Sequence, residues 1–228
     1  MKQKIAPRCA VVLISGRGSN LEAIVEAIDK QALPLRISAV ISNRPDAAGL
    51  TYAQHAGLKT HVVDHTHYAD RAAFDAALAR LIDFYSPDVV VLAGFMRMLT
   101  PEFVNHYLGR LVNIHPSLLP AYKGLKTHER ALHDKAKVHG ASVHFVTPDL
   151  DGGPVLMQVR VPVQPNDTPQ SLAARVLAAE HRLYPAALAL IAAGRVEFAA
   201  DGLRVDNAPL AAPVDLPYTV EDASIHTE

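Results

Sequence analysis

The chain has 228 residues, half of them apolar, so it can bury one substantial core but not two ordinary domains. Its 22 basic and 23 acidic side chains nearly cancel, which argues against nucleic-acid or membrane binding and favours a small-molecule partner. Cys9 is the only cysteine, and no apolar run is long enough for a signal segment or a membrane span. We therefore expect a cytoplasmic protein, either a monomer or a homodimer.

Short apolar runs alternate with helical patterns along the chain. Strands are predicted at 9–15, 37–42, 60–63, 89–93, 111–115, 140–147 and 155–161. Helices are predicted at 21–31, 47–55, 68–85, 100–107 and 127–134, with a long helix after Asp167 that Pro185 should kink or break. Continuously apolar strands are typical of parallel sheets covered on both faces. We predict an α/β fold with an open, mainly parallel twisted sheet and helices on both faces, as a single domain over 1–206 followed by a mobile tail over 207–228.

A glycine-rich turn, Ser15-Gly16-Arg17-Gly18-Ser19-Asn20, joins the first strand to the first helix. Ligands of open α/β sheets bind beyond the carboxyl ends of the strands, and free N–H groups at a helix start attract anions. This pattern predicts a phosphate site. The alternative is a tight turn with a capping box formed by Ser19 and Glu22. Leu21 stands where the dinucleotide fingerprint needs a third glycine, and the chain has no P-loop lysine motif, so a nicotinamide cofactor or ATP is disfavoured.

Asn113 and His115 alternate on one face at the end of a predicted strand, which Pro116 terminates. An amide donor and an imidazole directed at one point suit the oxyanion that develops in acyl transfer. The chain has 12 histidines, and any single one is more often a surface or core residue.

Asp151 precedes two glycines in a turn that follows another predicted strand. In such a loop its carboxylate can approach His115, although composition alone favours a solvated turn.

Residues 94–99 form an apolar segment after the strand at 89–93. They can line a pocket for a flat heterocycle, or simply belong to the core. His65 and His67 are a close histidine pair, but without a further evident ligand we expect no metal site.

Taken together, four segments resemble the glycinamide ribonucleotide formyltransferase family of purine biosynthesis. They are VLISGRGSNLEAI, PDVVVLAGFMRMLTPEFV, GRLVNIHPSLLPAYKGLKTH and HGASVHFVTPDLDGGPVLMQ. The resemblance covers residues 10–200 and implies a Rossmann-like formyltransferase fold. Arg17 departs from it, since the family often has Asn at this position.

The resemblance implies roles for individual residues. Gly18, Ser19 and Asn20 would bind the phosphate of glycinamide ribonucleotide, and Glu180 would face its ribose hydroxyls. The folate contacts would be Arg71, Met96, Arg97, Met98, Leu99 and Asn113, with Leu92, Phe95, Val104, Leu111 and Val146 around the pterin. Asn113, His115 and Asp151 would be catalytic.

The implied reaction is the transfer of the formyl group of 10-formyltetrahydrofolate to the glycyl amine, by direct attack through a tetrahedral intermediate and without a metal. Three alternatives stay open at this point. Formyltetrahydrofolate deformylase resembles the same motifs, but typically has an extra N-terminal domain and a histidine where Pro116 stands. Methionyl-tRNA formyltransferase carries an additional C-terminal domain. A non-catalytic module that binds a nucleotide phosphate would use the glycine-rich turn alone.

Overall fold

A computed structural model of the chain describes residues 7–219. Its strands are β1 (Arg8–Ile14), β2 (Leu35–Ser42), β3 (Thr60–Val62), β4 (Val89–Leu92), β5 (Leu111–His115), β6 (Val138–Phe145), β7 (Val155–Pro162), β8 (Val196–Ala199), β9 (Gly202–Val205), β10 (Ala208–Pro209) and β11 (Val214–Leu216). Its helices are α1 (Ser19–Asp29), α2 (Ala48–His55), α3 (Arg71–Phe84), α4 (Pro101–His106), α5 (Thr127–His133) and α6 (Pro169–Ala192), with one 3-10 turn at His65–His67. No helix in this described range is long and apolar enough to cross a membrane.

The main sheet has eight strands in the order β11-β7-β6-β5-β4-β1-β2-β3. All neighbours run parallel except where β6 pairs with β5 and with β7. The remaining strands form a small antiparallel sheet in the order β10-β9-β8. The predicted fold class, an open and mainly parallel sheet, is confirmed.

Both faces of the sheet are covered by helices, which explains why its central strands are apolar throughout. On β1, Ala10, Val12 and Ile14 belong to a core cluster that includes residues of α1 and α6. Val11 and Leu13 point to the other face, into a second cluster that includes residues of α3 and α4. Successive residues of a strand face opposite sides, so a strand between two helical layers has no polar face.

Helix α6 runs without a break through Pro185, where we predicted a kink or a break. A proline inside a helix lacks one N–H donor. Here the flanking Leu183, Tyr184 and Leu188 are all fully buried, and the hydroxyl of Tyr184 lies 3.0 Å and 3.1 Å from the carbonyl oxygens of Leu92 and Val112, so that its one proton can bond to either. Packing against the sheet therefore outweighs the loss of one helical hydrogen bond.

The folded region also continues past residue 206, where we expected a mobile tail to begin. β11 extends the main sheet by pairing in parallel with β7, with Val214 opposite Met157. Arg182 of α6 donates a 2.8 Å hydrogen bond to the hydroxyl of Thr219. The composition of this segment, rich in proline and alanine, did not reveal a three-residue strand. Residues 220–228 of the predicted tail lie outside the described range.

Removing residues 207–228 should lower the free energy of unfolding by roughly 1–3 kcal/mol, because β10, β11 and the contacts of Thr219 are lost together. Chemical denaturation of the full and shortened chains measures this difference. A chain that lacks only 220–228 is the control, since it keeps β11. Equal stability of all three proteins would mean that β11 contributes nothing to the fold.

Candidate active site

A cavity of about 580 Å³ opens at the carboxyl ends of the central strands. It is lined by residues 15–20 after β1, by Asn43 and Arg44 after β2, and by Gly94, Met96 and Arg97 after β4. β1 and β4 are neighbours in the sheet, and the chain moves away from β1 in opposite directions on either side of this pair. Such a switch point is where open α/β sheets bind their ligands.

The glycine-rich turn starts α1 without a side-chain cap. The helix begins at Ser19, and Gly18 is its N-cap residue, in a left-handed conformation with φ 83°. The capping box of Ser19 and Glu22 considered above is therefore wrong: Ser19 lies inside the helix, and no side chain caps its N-terminus. The first N–H groups of α1 thus lack helical acceptors beside the cavity, which supports binding of an anion.

Gly18 also lies against the start of α2. A Cβ atom at Gly18 would come within 2.8 Å of the Cα of Gly49, and the N–H of Gly49 donates a 3.0 Å hydrogen bond to the carbonyl of Gly16. Any larger residue would push the turn away from α2, so this close approach and the positive φ both require glycine.

Asn20 and Glu180 form a buried polar pair beside the turn. The amide of Asn20 donates a 2.8 Å hydrogen bond to the Glu180 carboxyl group, while the amide oxygen of Asn20 has no partner among the described residues. Burial raises the pKa of Glu180 to about 7, against the opposing effect of the Asn20 hydrogen bond. Leu177, about one turn before Glu180 on α6, lines the cavity. A buried carboxyl group and an unpaired amide oxygen are suitable acceptors for ligand hydroxyl groups.

The structure brings Asn113, His115 and Asp151 together. His115 is 6% exposed, and its Nδ1 lies 3.5 Å from an oxygen of Asp151. Its Nε2 lies 3.0 Å from the carbonyl oxygen of Tyr122, in the loop before α5. Asn113 is connected to Asp151 through His144. The Nδ2 of Asn113 lies 3.2 Å from the Nε2 of His144, and this Nε2 lies 3.8 Å from an oxygen of Asp151.

His144 was not predicted as part of the site. It lies opposite Asn113 on the antiparallel partner strand β6. Burial lowers its pKa, with smaller opposing effects from the Phe145 carbonyl and Asp151. A neutral ring can donate from Nδ1 to the Phe145 carbonyl, 3.1 Å away, and accept from Asn113 at Nε2. His144 therefore orients the amide of Asn113.

The turn that carries Asp151 is exposed at Pro148, Asp149, Leu150 and Gly152, as composition favours, but the Asp151 side chain is directed inward. The Asp151 side chain is 11% exposed and accepts a 2.8 Å hydrogen bond from the N–H of Gly124. Its backbone is left-handed, with φ 45°, a conformation that Asp tolerates better than most residues. A Cβ atom at Gly153 would lie 1.9 Å from the carbonyl oxygen of Phe145, so the turn packs directly on the end of β6.

The segment after β4 combines buried and exposed apolar groups. Leu99 and the residues predicted around the pterin, namely Leu92, Phe95, Val104, Leu111 and Val146, all belong to one apolar cluster. Met96 and Met98 are 70% and 60% exposed. The Arg97 guanidinium stacks on Phe74 at 4.9 Å, and Arg71 begins the same helix one turn earlier. This arrangement offers an apolar surface with cations at its edge.

The His65 and His67 pair lies in the 3-10 turn after β3. Within residues 7–219, no group of three or more His, Cys, Asp or Glu side chains is arranged to hold a metal ion. His65 instead contacts Asn43 and lines the cavity.

Comparison with known proteins identifies the family. The chain matches the formyl transferase family model over residues 8–188. Phosphoribosylglycinamide formyltransferase of Escherichia coli (strain K12) is 52% identical over 187 residues, which cover 82% of this chain and 88% of that protein. This chain belongs to that formyltransferase family. The resemblance seen in its motifs is thereby confirmed.

Solved structures of the same family have the same fold. The phosphoribosylglycinamide formyltransferase of Coxiella burnetii superposes with a TM-score of 0.89 at 50% identity, covering 92% of this chain and 100% of that one. Glycinamide ribonucleotide transformylase 1 of Symbiobacterium toebii gives 0.86 at 42% identity, covering 90% and 97%. The trifunctional purine biosynthetic protein adenosine-3 of Homo sapiens is 45% identical over 191 residues. These residues make up 84% of this chain and 19% of that protein.

Glu180→Gln should stabilise the protein above neutral pH. The folded state holds the Glu180 proton up to a pKa of about 7, well above the usual 4.5, so wild-type stability falls as pH rises through that interval. Glutamine does not ionise, so the variant should have a free energy of unfolding higher than wild type by on the order of 1–3 kcal/mol at pH 8, and by little at pH 4.5. Denaturant unfolding at both pH values measures it, with the exposed Glu197→Gln as control. A gain independent of pH would show that ionisation of Glu180 is not its source.

Proposed function

We propose that this chain is a glycinamide ribonucleotide formyltransferase, an enzyme that transfers the formyl group of 10-formyltetrahydrofolate to the glycyl amine in purine biosynthesis. One observation carries the proposal. In a chain of this family, a cavity with an uncapped helix N-terminus opens after β1, β2 and β4, and the cluster of Asn113, His115 and Asp151 lies around the end of β5, the next strand of the sheet after β4. The cavity suits a phosphorylated substrate, and the cluster suits acyl transfer.

The nucleotide substrate would bind at the glycine-rich turn. The N–H groups of Gly18, Ser19 and Asn20 would hold its phosphate, and Arg17 adds a positive charge at the cavity wall. Glu180 would accept hydrogen bonds from the ribose hydroxyls. These contacts would direct the glycyl amine toward β5, which lies beyond β4 on one side of β1.

The folate would bind on the other side of Asn113, His115 and Asp151. Its pterin would lie against the cluster formed by Leu92, Phe95, Val104, Leu111 and Val146, with Met96, Met98, Leu99 and Asn113 in contact. Arg71 and Arg97 would meet its carboxylates, since both arise beside Phe74 at the edge of this apolar surface. The bound folate supplies the formyl group.

Asn113, His115 and Asp151 would stabilise the charge of the oxyanion and move protons. Because Nδ1 of His115 faces Asp151, Nε2 is the nitrogen left to donate to the oxyanion, in place of the Tyr122 carbonyl that it meets in the free protein. Asn113, oriented by His144, would supply the second hydrogen bond. Asp151 would stabilise a positive charge on His115 and help to move the amine proton.

This scheme uses no metal, since the oxyanion is stabilised by the protein's own donors. We also propose a cytoplasmic location, in keeping with the single free thiol at Cys9. Either a monomer or a homodimer is compatible with the proposal, because all the assigned residues come from one chain.

Release of free folate from 10-formyltetrahydrofolate should depend on added glycinamide ribonucleotide, because the amine and not water is the proposed acceptor. The rate of folate release by the purified protein is followed by absorbance, with and without the nucleotide. Equal release in both reactions would identify a deformylase. Binding of the nucleotide with no turnover would identify a non-catalytic phosphate-binding module.

His115→Ala should lower kcat by about a hundred-fold to ten-thousand-fold, the usual loss for an acid or oxyanion donor. Asp151→Asn should also lower kcat, but the double variant should be little worse than His115→Ala alone, because Asp151 would act through His115. Single-turnover rates of the four proteins test the coupling. If the two losses multiplied instead, the residues would act independently and the assignment of Asp151 would be wrong.

A further inference from the structure

A line of hydrogen bonds crosses the carboxyl edge of the sheet between the two proposed binding regions. Ser15, directly after β1, accepts a 2.8 Å hydrogen bond from the N–H of Met96, after β4. The Ser15 hydroxyl donates in turn to the side-chain oxygen of Asn43, after β2, at 2.5 Å. One hydroxyl thus joins three strand ends.

The line continues to the cavity wall. Nδ1 of His65, after β3, lies 2.8 Å from the carbonyl oxygen of Asn43, close enough to donate to it. Asn43 and His65 both line the cavity assigned to the nucleotide, and so does Ser15. Met96, at the other end, opens the segment assigned to the folate.

The two residues at the centre of this line are buried. Ser15 is 6% exposed and Asn43 is 3% exposed. Losing a buried partner costs more than the average hydrogen bond, because the group left behind stays desolvated. Without the Ser15 hydroxyl, the N–H of Met96 and the oxygen of Asn43 would both lose a partner; both residues line the cavity, and Met96 also opens the segment assigned to the folate.

Building on the proposed function, we infer that Ser15 and Asn43 are positioning residues that couple the nucleotide cavity to the folate-binding segment. Ser15 precedes Gly16, so a ligand that orders the glycine-rich turn also fixes the acceptor of Met96. The reverse holds for a folate that orders Met96. Each substrate therefore binds more tightly when the other is present, and the coupling is equal in both directions.

Binding without turnover tests the coupling directly. Tetrahydrofolate has no formyl group to transfer, so its dissociation constant can be titrated with and without saturating glycinamide ribonucleotide. In the wild-type protein we expect the nucleotide to tighten tetrahydrofolate binding by roughly fivefold or more. In Ser15→Ala and in Asn43→Ala this factor should fall toward one, and the double variant should be no worse. Ser15→Thr, which keeps the hydroxyl, should restore most of the factor.

Ser42→Ala is the matched control. Ser42 is buried like Ser15 and is the last residue of β2, but its hydroxyl bonds only the backbone of Arg44, on the nucleotide side. It should alter nucleotide affinity at most and leave the coupling factor unchanged.

The outcomes separate this inference from the proposed function. A wild-type protein that transfers the formyl group but shows a coupling factor of one overturns the inference alone, whatever the variants do. So does a factor that survives in both Ser15→Ala and Asn43→Ala, or that falls equally in Ser42→Ala. A wild-type protein that binds neither ligand would overturn the proposed function and, with it, the inference.

Discussion

The parallel register of the central strands brings their carboxyl ends to one level, and the candidate residues lie at or just after these ends. Ile14 pairs with Ser42, Leu13 with Leu92, and Leu92 with Asn113, so β1, β2, β4 and β5 end almost level. Parallel strands present their carboxyl ends at one edge. The glycine-rich turn, Asn43, the Met96 segment and His115 are far apart in sequence and come to one edge of the sheet only because of this register. A one-residue slip would turn each strand's side chains to the opposite face.

The chemistry of the site depends on which buried groups remain neutral. Burial lowers the pKa of His128 and of His144, and lowers that of His139 to about 4, with the neighbouring histidines adding to the effect for His128 and His139. These rings therefore place no competing positive charge beside the pair formed by His115 and Asp151. A neutral His144 can also accept the hydrogen bond that orients Asn113. Among these rings His115 lies closest to Asp151, at 3.5 Å against 3.8 Å for His144, and the lowered pKa of His144 distinguishes the two.

The sequence predicted the parallel sheet, its strand ends and the segments that carry the site, because strand periodicity and glycine turns are local signals. It did not predict contacts that depend on tertiary packing. Pro185 is tolerated because its neighbours are buried, and β11 forms only where β7 offers an edge. Ser15 and Met96 are 81 residues apart in the chain, so their hydrogen bond has no local signature. The available signal was positional: Ser15 and Asn43 each directly follow a buried strand.

The near-neutral composition of the chain is compatible with anionic substrates because charge is placed locally rather than accumulated. The net formal charge is −1, yet Arg17, Arg44 and Arg97 all line the cavity. Asp46 neutralises part of this set through its ion pair with Arg44, at 2.7 Å. The electrostatic field in a concave site depends more on the charges in its walls than on the net charge of the protein, since low-dielectric walls focus the field. A chain with no overall attraction for polyanions can therefore still concentrate a small phosphorylated ligand at one cavity, which is why a balanced composition excludes nucleic acid more firmly than it excludes a nucleotide substrate.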